Sequence, residues 1–133
     1  MECVQRGTNI TLHVADIEIQ NDTIVVTEKG SSHNVEISSI DYDKDREFIV
    51  VKLNEGLEVG KEYKIKIHYT AYLKDNLKGF YRSVYKDRKT KAEEYIAVTQ
   101  FQATDARRAF PCFDEPGIKA AYEVTKKSKK KST

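Results

Sequence analysis

Proline, cysteine and glycine are scarce in this chain, at two, two and six residues among 133. No glycine-rich linker or internal repeat divides it, which points to one domain with a modest core. No apolar run approaches the length of a membrane span, and the N-terminus has no basic-then-apolar leader. Helical periodicity is missing throughout. The three histidines, His13, His33 and His68, are scattered, and none has a second histidine at metal-ligand spacing. No serine or cysteine stands with a base that would activate it as a nucleophile. Cys3 sits near the start and Cys112 deep in the chain, so a buried free thiol is expected for Cys112 rather than a disulfide.

What remains is a polar composition, 39% hydrophobic and 33% charged. The formal net charge of +2 hides an asymmetry: Lys126, Lys127, Lys129, Lys130 and Lys131 carry five positive charges, which leaves residues 1–125 at −3. The body is therefore mildly acidic and gives no sign of nucleic-acid binding. Residues 126–133 are expected to be a solvated, disordered tail, with an anionic-surface or nuclear-import patch as the alternative. Two glycosylation triplets, Asn9-Ile10-Thr11 and Asn21-Asp22-Thr23, have meaning only in a secreted chain.

The hydrophobic pattern predicts strands almost throughout. Ile10, Leu12 and Val14 alternate with polar residues, and the phase shift across Ala15-Asp16 to Ile17 and Ile19 predicts a bulge. Thr23–Thr27 is a short β-branched run, followed by a Lys29-Gly30 turn before Val35 and Ile37. Phe48–Leu53 predicts another strand, closed by a turn at Asn54-Glu55-Gly56. Tyr63, Ile65, Ile67 and Tyr69 alternate with Lys64, Lys66 and His68, the pattern of a half-buried antiparallel strand with one wet face. Tyr95–Val98 leads into Gln100. The body, residues 1–125, reads as a single layered all-β domain of antiparallel sheets.

One stretch is denser in chemistry than the rest: residues 99–116, TQFQATDARRAFPCFDEP. In an extended segment Gln100 and Gln102 share a face and Phe101 points away. A glutamine amide offers an acceptor and two donors without adding charge, which suits a site that must hold an ammonium group. The plain alternative is that both amides are merely solvated. Asp105, Arg107, Arg108, Asp114 and Glu115 lie among Phe101, Phe110 and Phe113, where charges are tolerated when paired. They read as scaffold, with Asp105 and Asp114 holding the arginines. A catalytic pair at Asp114 and Glu115 is disfavoured, because neighbours on an extended chain point apart. Pro111 and Pro116 stiffen both ends of Cys112-Phe113-Asp114-Glu115.

This motif resembles the zinc aminopeptidases of the aminopeptidase N and puromycin-sensitive aminopeptidase family, in the part of their N-terminal domain that borders the active site. Gly79-Phe80-Tyr81-Arg82-Ser83, joined to the glutamine strand through the polar connection Lys86–Lys91, resembles the segment that precedes it in the same family. The resemblance covers nearly all of residues 2–124 and implies the family's all-β N-terminal domain, incomplete at both ends. It implies that Gln100 accepts a hydrogen bond from the free amine of a peptide substrate. Gln102 matches a nearby position that is often acidic. It also implies a zinc cofactor for the parent enzyme, held by two histidines at i, i+4 spacing and a further glutamate. This sequence contains neither His-Glu-x-x-His nor Gly-x-Met-Glu-Asn, its only methionine being Met1.

Two expectations follow. The first is a substrate-recognition fragment of a metalloaminopeptidase, with no cofactor of its own, inactive without the missing catalytic domain, and partnered by the N-terminus of a peptide. The second is a stand-alone non-catalytic β module that binds a protein partner. Family members occur at the cell surface and in the cytosol, so the resemblance leaves the compartment open.

Overall fold

The β-branched and aromatic residues that alternate along this chain are the ones that fit a pleated, half-buried surface. The computed structural model describes residues 1–3 and 5–127. Among them it has eight strands, one 3-10 turn and no α-helix. The strands are β1 (Gly7–His13), β2 (Ile17–Glu28), β3 (Asn34–Val35), β4 (Ile37–Asp43), β5 (Phe48–Leu57), β6 (Tyr63–Ala71), β7 (Gly79–Lys86) and β8 (Glu93–Gln100). They pair antiparallel into sheets β1-β5-β4, β3-β2-β6 and β7-β8. From Ser128 onward the lysine-rich tail lies outside the described residues.

The core joins the inner faces of the two three-stranded sheets. Ile10 and Leu12 of β1, Ile49, Val51 and Leu53 of β5, and Ile24 and Val26 of β2 belong to one buried cluster with Val35 and Tyr63. Ile49, Val51 and Val26 are wholly buried, and each such side chain contributes about 1.5–3 kcal/mol. Along β6 the expected alternation is present: Tyr63 is buried, Ile65, Ile67 and Tyr69 are half-buried, and Lys64, Lys66 and His68 face water. The chain start is tied down too, since the Met1 ammonium donates to the Tyr63 carbonyl at 2.9 Å.

Two local expectations are corrected, and one strand was not expected. Ala15-Asp16 is a crossing from one sheet to the other, between the end of β1 and the start of β2, rather than a bulge; Asp16 takes a left-handed φ of 58°. The irregularity in β2 lies further on, between Gln20 and Val25. There the Thr23 hydroxyl accepts the His68 N–H at 3.1 Å and donates to the Gln20 carbonyl at 2.6 Å, substituting for ladder bonds. Asn54-Glu55-Gly56 is not a turn: β5 continues to Leu57, and the reversal comes at Val59-Gly60, where Gly60 has φ +84°. β4 was missed because its half-buried residues, Ile37, Ile40 and Asp43, fall every third position instead of every second.

This packing makes a direct prediction. Ile49→Ala should lower unfolding free energy by about 2–5 kcal/mol in urea titration, while Val59→Ala, at an exposed turn, should stay within about 0.5 kcal/mol.

Candidate functional site

The hairpin β7-β8 delivers the chain to Gln100, the last residue of β8 and its register partner to Gly79. The strand stops there. Gln102 opens a turn over residues 102–105, begun by a cis Gln102–Ala103 peptide and closed by the Asp105 N–H on the Phe101 carbonyl at 3.1 Å. The strand alternation that would put Gln100 and Gln102 on one face therefore ends one residue short of Phe101. Both glutamines are solvent-exposed.

After this turn the chain tightens into the 3-10 turn Ala106–Arg108 and then docks on β1. His13 and Cys112 exchange backbone hydrogen bonds at 2.7 and 3.2 Å, and the Ala15 N–H reaches the Arg107 carbonyl at 3.0 Å. These bonds attach the motif directly to the point where the chain crosses between sheets. Pro116 and Gly117 occupy the middle of a turn closed by the Ile118 N–H on the Glu115 carbonyl at 3.1 Å, with proline at the position that favours its fixed φ. Phe113 packs against the core, and its N–H donates to the Tyr122 hydroxyl at 2.8 Å. Phe110 lies between Phe101 and Tyr122, at centroid distances of 6.0 and 5.4 Å.

The two arginines are each paired with more than one carboxylate. Arg107 Nε donates to Asp114 Oδ2 at 2.9 Å and its Nη1 to Glu47 Oε2 at 3.0 Å. Arg108 donates to Asp105 at 3.0 Å, to Glu47 Oε1 at 3.2 Å and to Asp16. Lys74 reaches the other Asp16 oxygen at 2.8 Å. The Lys74 ammonium, hydrogen-bonded to it, holds the Asp16 carboxyl below its ordinary range against the opposing effect of burial, with the Arg108 guanidinium adding to the lowering. Asp114 and Glu115 diverge as neighbours must: the Asp114 side chain is 11% exposed and faces Arg107, whereas that of Glu115 is 56% exposed.

Residues far away in sequence complete the cluster, and sequence reasoning missed them. Glu47 spans both arginines from the β4–β5 connection, and Asp16 comes from the β1–β2 crossing. Both hold left-handed backbone conformations, φ 58° at Asp16 and 59° at Glu47. Such conformations cost a non-glycine residue of the order of 1–3 kcal/mol, offset here by the arginine bonds. His13 is buried against Phe48, ring centroids 4.7 Å apart, and its Nδ1 accepts the Asp114 N–H at 3.1 Å. No local pattern announces any of these roles.

Among the described residues no group of three or more His, Cys, Asp or Glu is arranged to hold a metal ion. The buried imidazole already spends its Nδ1 on the backbone. These residues do not fit a zinc ion. What the arrangement does is mechanical: it fixes the turn after Gln100 to both three-stranded sheets.

The fold and the site define an all-β domain of antiparallel sheets in which an arginine–carboxylate cluster anchors an exposed glutamine strand. Comparison with known proteins gives that class its family. The chain belongs to the peptidase M1 N-terminal domain family, whose model matches residues 1–133. It is 35% identical over 126 residues to aminopeptidase N of Canis lupus familiaris, covering 92% of this chain and 13% of that protein. It is 36% identical over 123 residues to puromycin-sensitive aminopeptidase of Caenorhabditis elegans, covering 92% and 12%. With membrane alanyl aminopeptidase of Manduca sexta it shares 35% identity over 118 residues, covering 87% and 12%. The chain thus spans about an eighth of the length of these relatives.

Two outcomes are expected. Arg107→Ala removes the guanidinium from Asp114 and from one Glu47 oxygen and should cost about 3–5 kcal/mol by denaturant titration, far more than breaking the exposed Arg82–Asp75 pair. Cys112 should resist alkylation at pH 8 in the folded protein and react only on unfolding. Burial, helped by the nearby Asp114 charge, pushes its thiol up to about 12, with Arg107 opposing. The folded state keeps this proton after the unfolded chain has lost it. The thiol's contribution is therefore complete below the unfolded value of about 8.5 and is lost as pH rises towards 12.

Proposed function

We propose that this chain is the substrate-recognition part of a zinc metalloaminopeptidase that removes N-terminal residues from peptides, with Gln100 receiving the free amine. The observation that carries the reading is the placement of Gln100: exposed, last in β8, and followed at once by a turn that two arginines lock to the sheets. Its carbonyl accepts an ammonium N–H without adding a charge that would trap the product. Gln102, exposed in the adjoining turn, takes the neighbouring position along the substrate. Asp105, Arg107, Pro111, Cys112, Phe113, Asp114, Glu115 and Pro116 are scaffold.

Hydrolysis and the zinc belong to a part of the enzyme outside these 133 residues, so the chain alone is inactive. A lone exposed hydrogen bond contributes only about 1 kcal/mol, and the amine is held firmly only once carboxylates from that other part complete the site. Val84, Tyr95 and Ile96, exposed on the hairpin, provide apolar surface for packing against it.

The test uses an intact aminopeptidase that carries this domain. Gln100→Ala should lower kcat/KM for an unblocked peptide roughly tenfold or more, as expected for losing a hydrogen bond to a charged group, with zinc content unchanged. Unaltered kinetics would remove Gln100 from the substrate site.

A further inference from the structure

Gly79 is the glycine whose missing side chain matters most. It is buried, has φ +65°, and a Cβ there would lie 2.6 Å from the Arg108 Cβ and 2.9 Å from the Asp105 carbonyl oxygen. The backbone of β7 therefore rests directly on the 3-10 turn, at a distance that only glycine permits. Gly79 is also the residue paired with Gln100 at the end of the hairpin.

Among the described residues the hairpin shares no hydrogen-bonded ladder with the other two sheets. Two contacts help set its position relative to them, beside the Arg82–Asp75 ion pair and the Phe101–Phe110 ring contact that follows β8. One is the Arg82 N–H on the Lys74 carbonyl at 3.0 Å. The other is the Gly79 contact with Arg108, whose guanidinium forks to Asp105, Glu47 and Asp16 and so reaches both sheet connections. Any shift at Gly79 is transmitted straight across the strand pair to Gln100.

We infer that Gly79 and Arg108 form the pin that sets where Gln100 presents its amide, and are positioning residues for recognition of the peptide amine. The inference rests on the proposed role of Gln100. Adding one methyl at Gly79 forces the Arg108 Cβ contact from 2.6 Å out towards the 3.4 Å where ordinary contact begins. A displacement of that order is enough to misplace a binding group, since misplacement by about 1 Å can cost on the order of a hundredfold in rate.

The experiment is a double-mutant cycle in an intact aminopeptidase carrying this domain, with alanine p-nitroanilide as the probe. Gly79→Ala and Gln100→Ala are each expected to raise KM roughly tenfold while kcat changes less, the signature of lost uniform binding. Combined, they should raise KM no further than Gln100→Ala alone, because a residue that acts through Gln100 is silent once that side chain is gone. Arg108→Lys, which keeps the charge but loses the fork, runs the same cycle should Gly79→Ala fail to fold. Thermal midpoints are recorded for every variant. A Gln100→Ala enzyme with unchanged KM overturns the recognition reading and this inference with it. A Gln100→Ala effect combined with an unmoved KM in the Gly79 or Arg108 variant overturns the inference alone. So does additivity in the cycle, which would make the contact a purely structural one.

Discussion

Four carboxylates from separate places in the chain, Asp16, Glu47, Asp105 and Asp114, meet on Arg107 and Arg108. Taking the Arg107 charge almost out of water is costly, and the cost is offset by the Asp114 and Glu47 carboxylates that accept from its Nε and Nη1. Glu47 is the pivot, since its two oxygens serve different arginines. Through it the β4–β5 connection, the β1–β2 crossing and the motif are fixed to one another. Among the described residues no buried side-chain nitrogen or oxygen lacks a partner, so the cluster has no loose member to relax around.

The lock also explains the disposition of the apolar residues. The two three-stranded sheets share a core built on Ile49, Val51 and Val26, against which Phe113 of the motif packs. The β7-β8 hairpin is different. Val84, Tyr85, Tyr95 and Ile96 remain exposed on it, and it is attached through the turn at Gly79 rather than by a ladder. The segment that carries Gln100 is thus held by polar contacts at one end and is open along its length. The cluster thus sets the position of this end of the hairpin, while apolar side chains stay exposed along its length.

Much of this was legible before any coordinates. The strand β6 announced itself by strict alternation, and the paired positions of the Gly79–Ser83 and Gln100 segments were implied by a polar connection suited to a hairpin. The ends of strands were less legible. Asn54-Glu55-Gly56 carries every local mark of a turn, yet β5 runs on to Leu57, which pairs with Gly7 of β1 across a register shift. Gln102 has the spacing of a strand residue, but β8 ends at Gln100.

The sequence by itself determined the fold class, the family and the presence of an arginine–aspartate scaffold beside the glutamines, because alternation, turn residues and dense motifs are local properties of a chain. Only the tertiary structure decided which acids the arginines choose. Glu47 and Asp16 stand 60 and 92 residues away from the arginines they bind, and His13 stands 101 residues from Asp114. Contacts over such separations leave no periodic trace, because they are set by how the sheets stack and not by the order of neighbouring residues. The same reason hid the contact between Gly79 and Arg108, which exists only once the hairpin has folded back onto the turn.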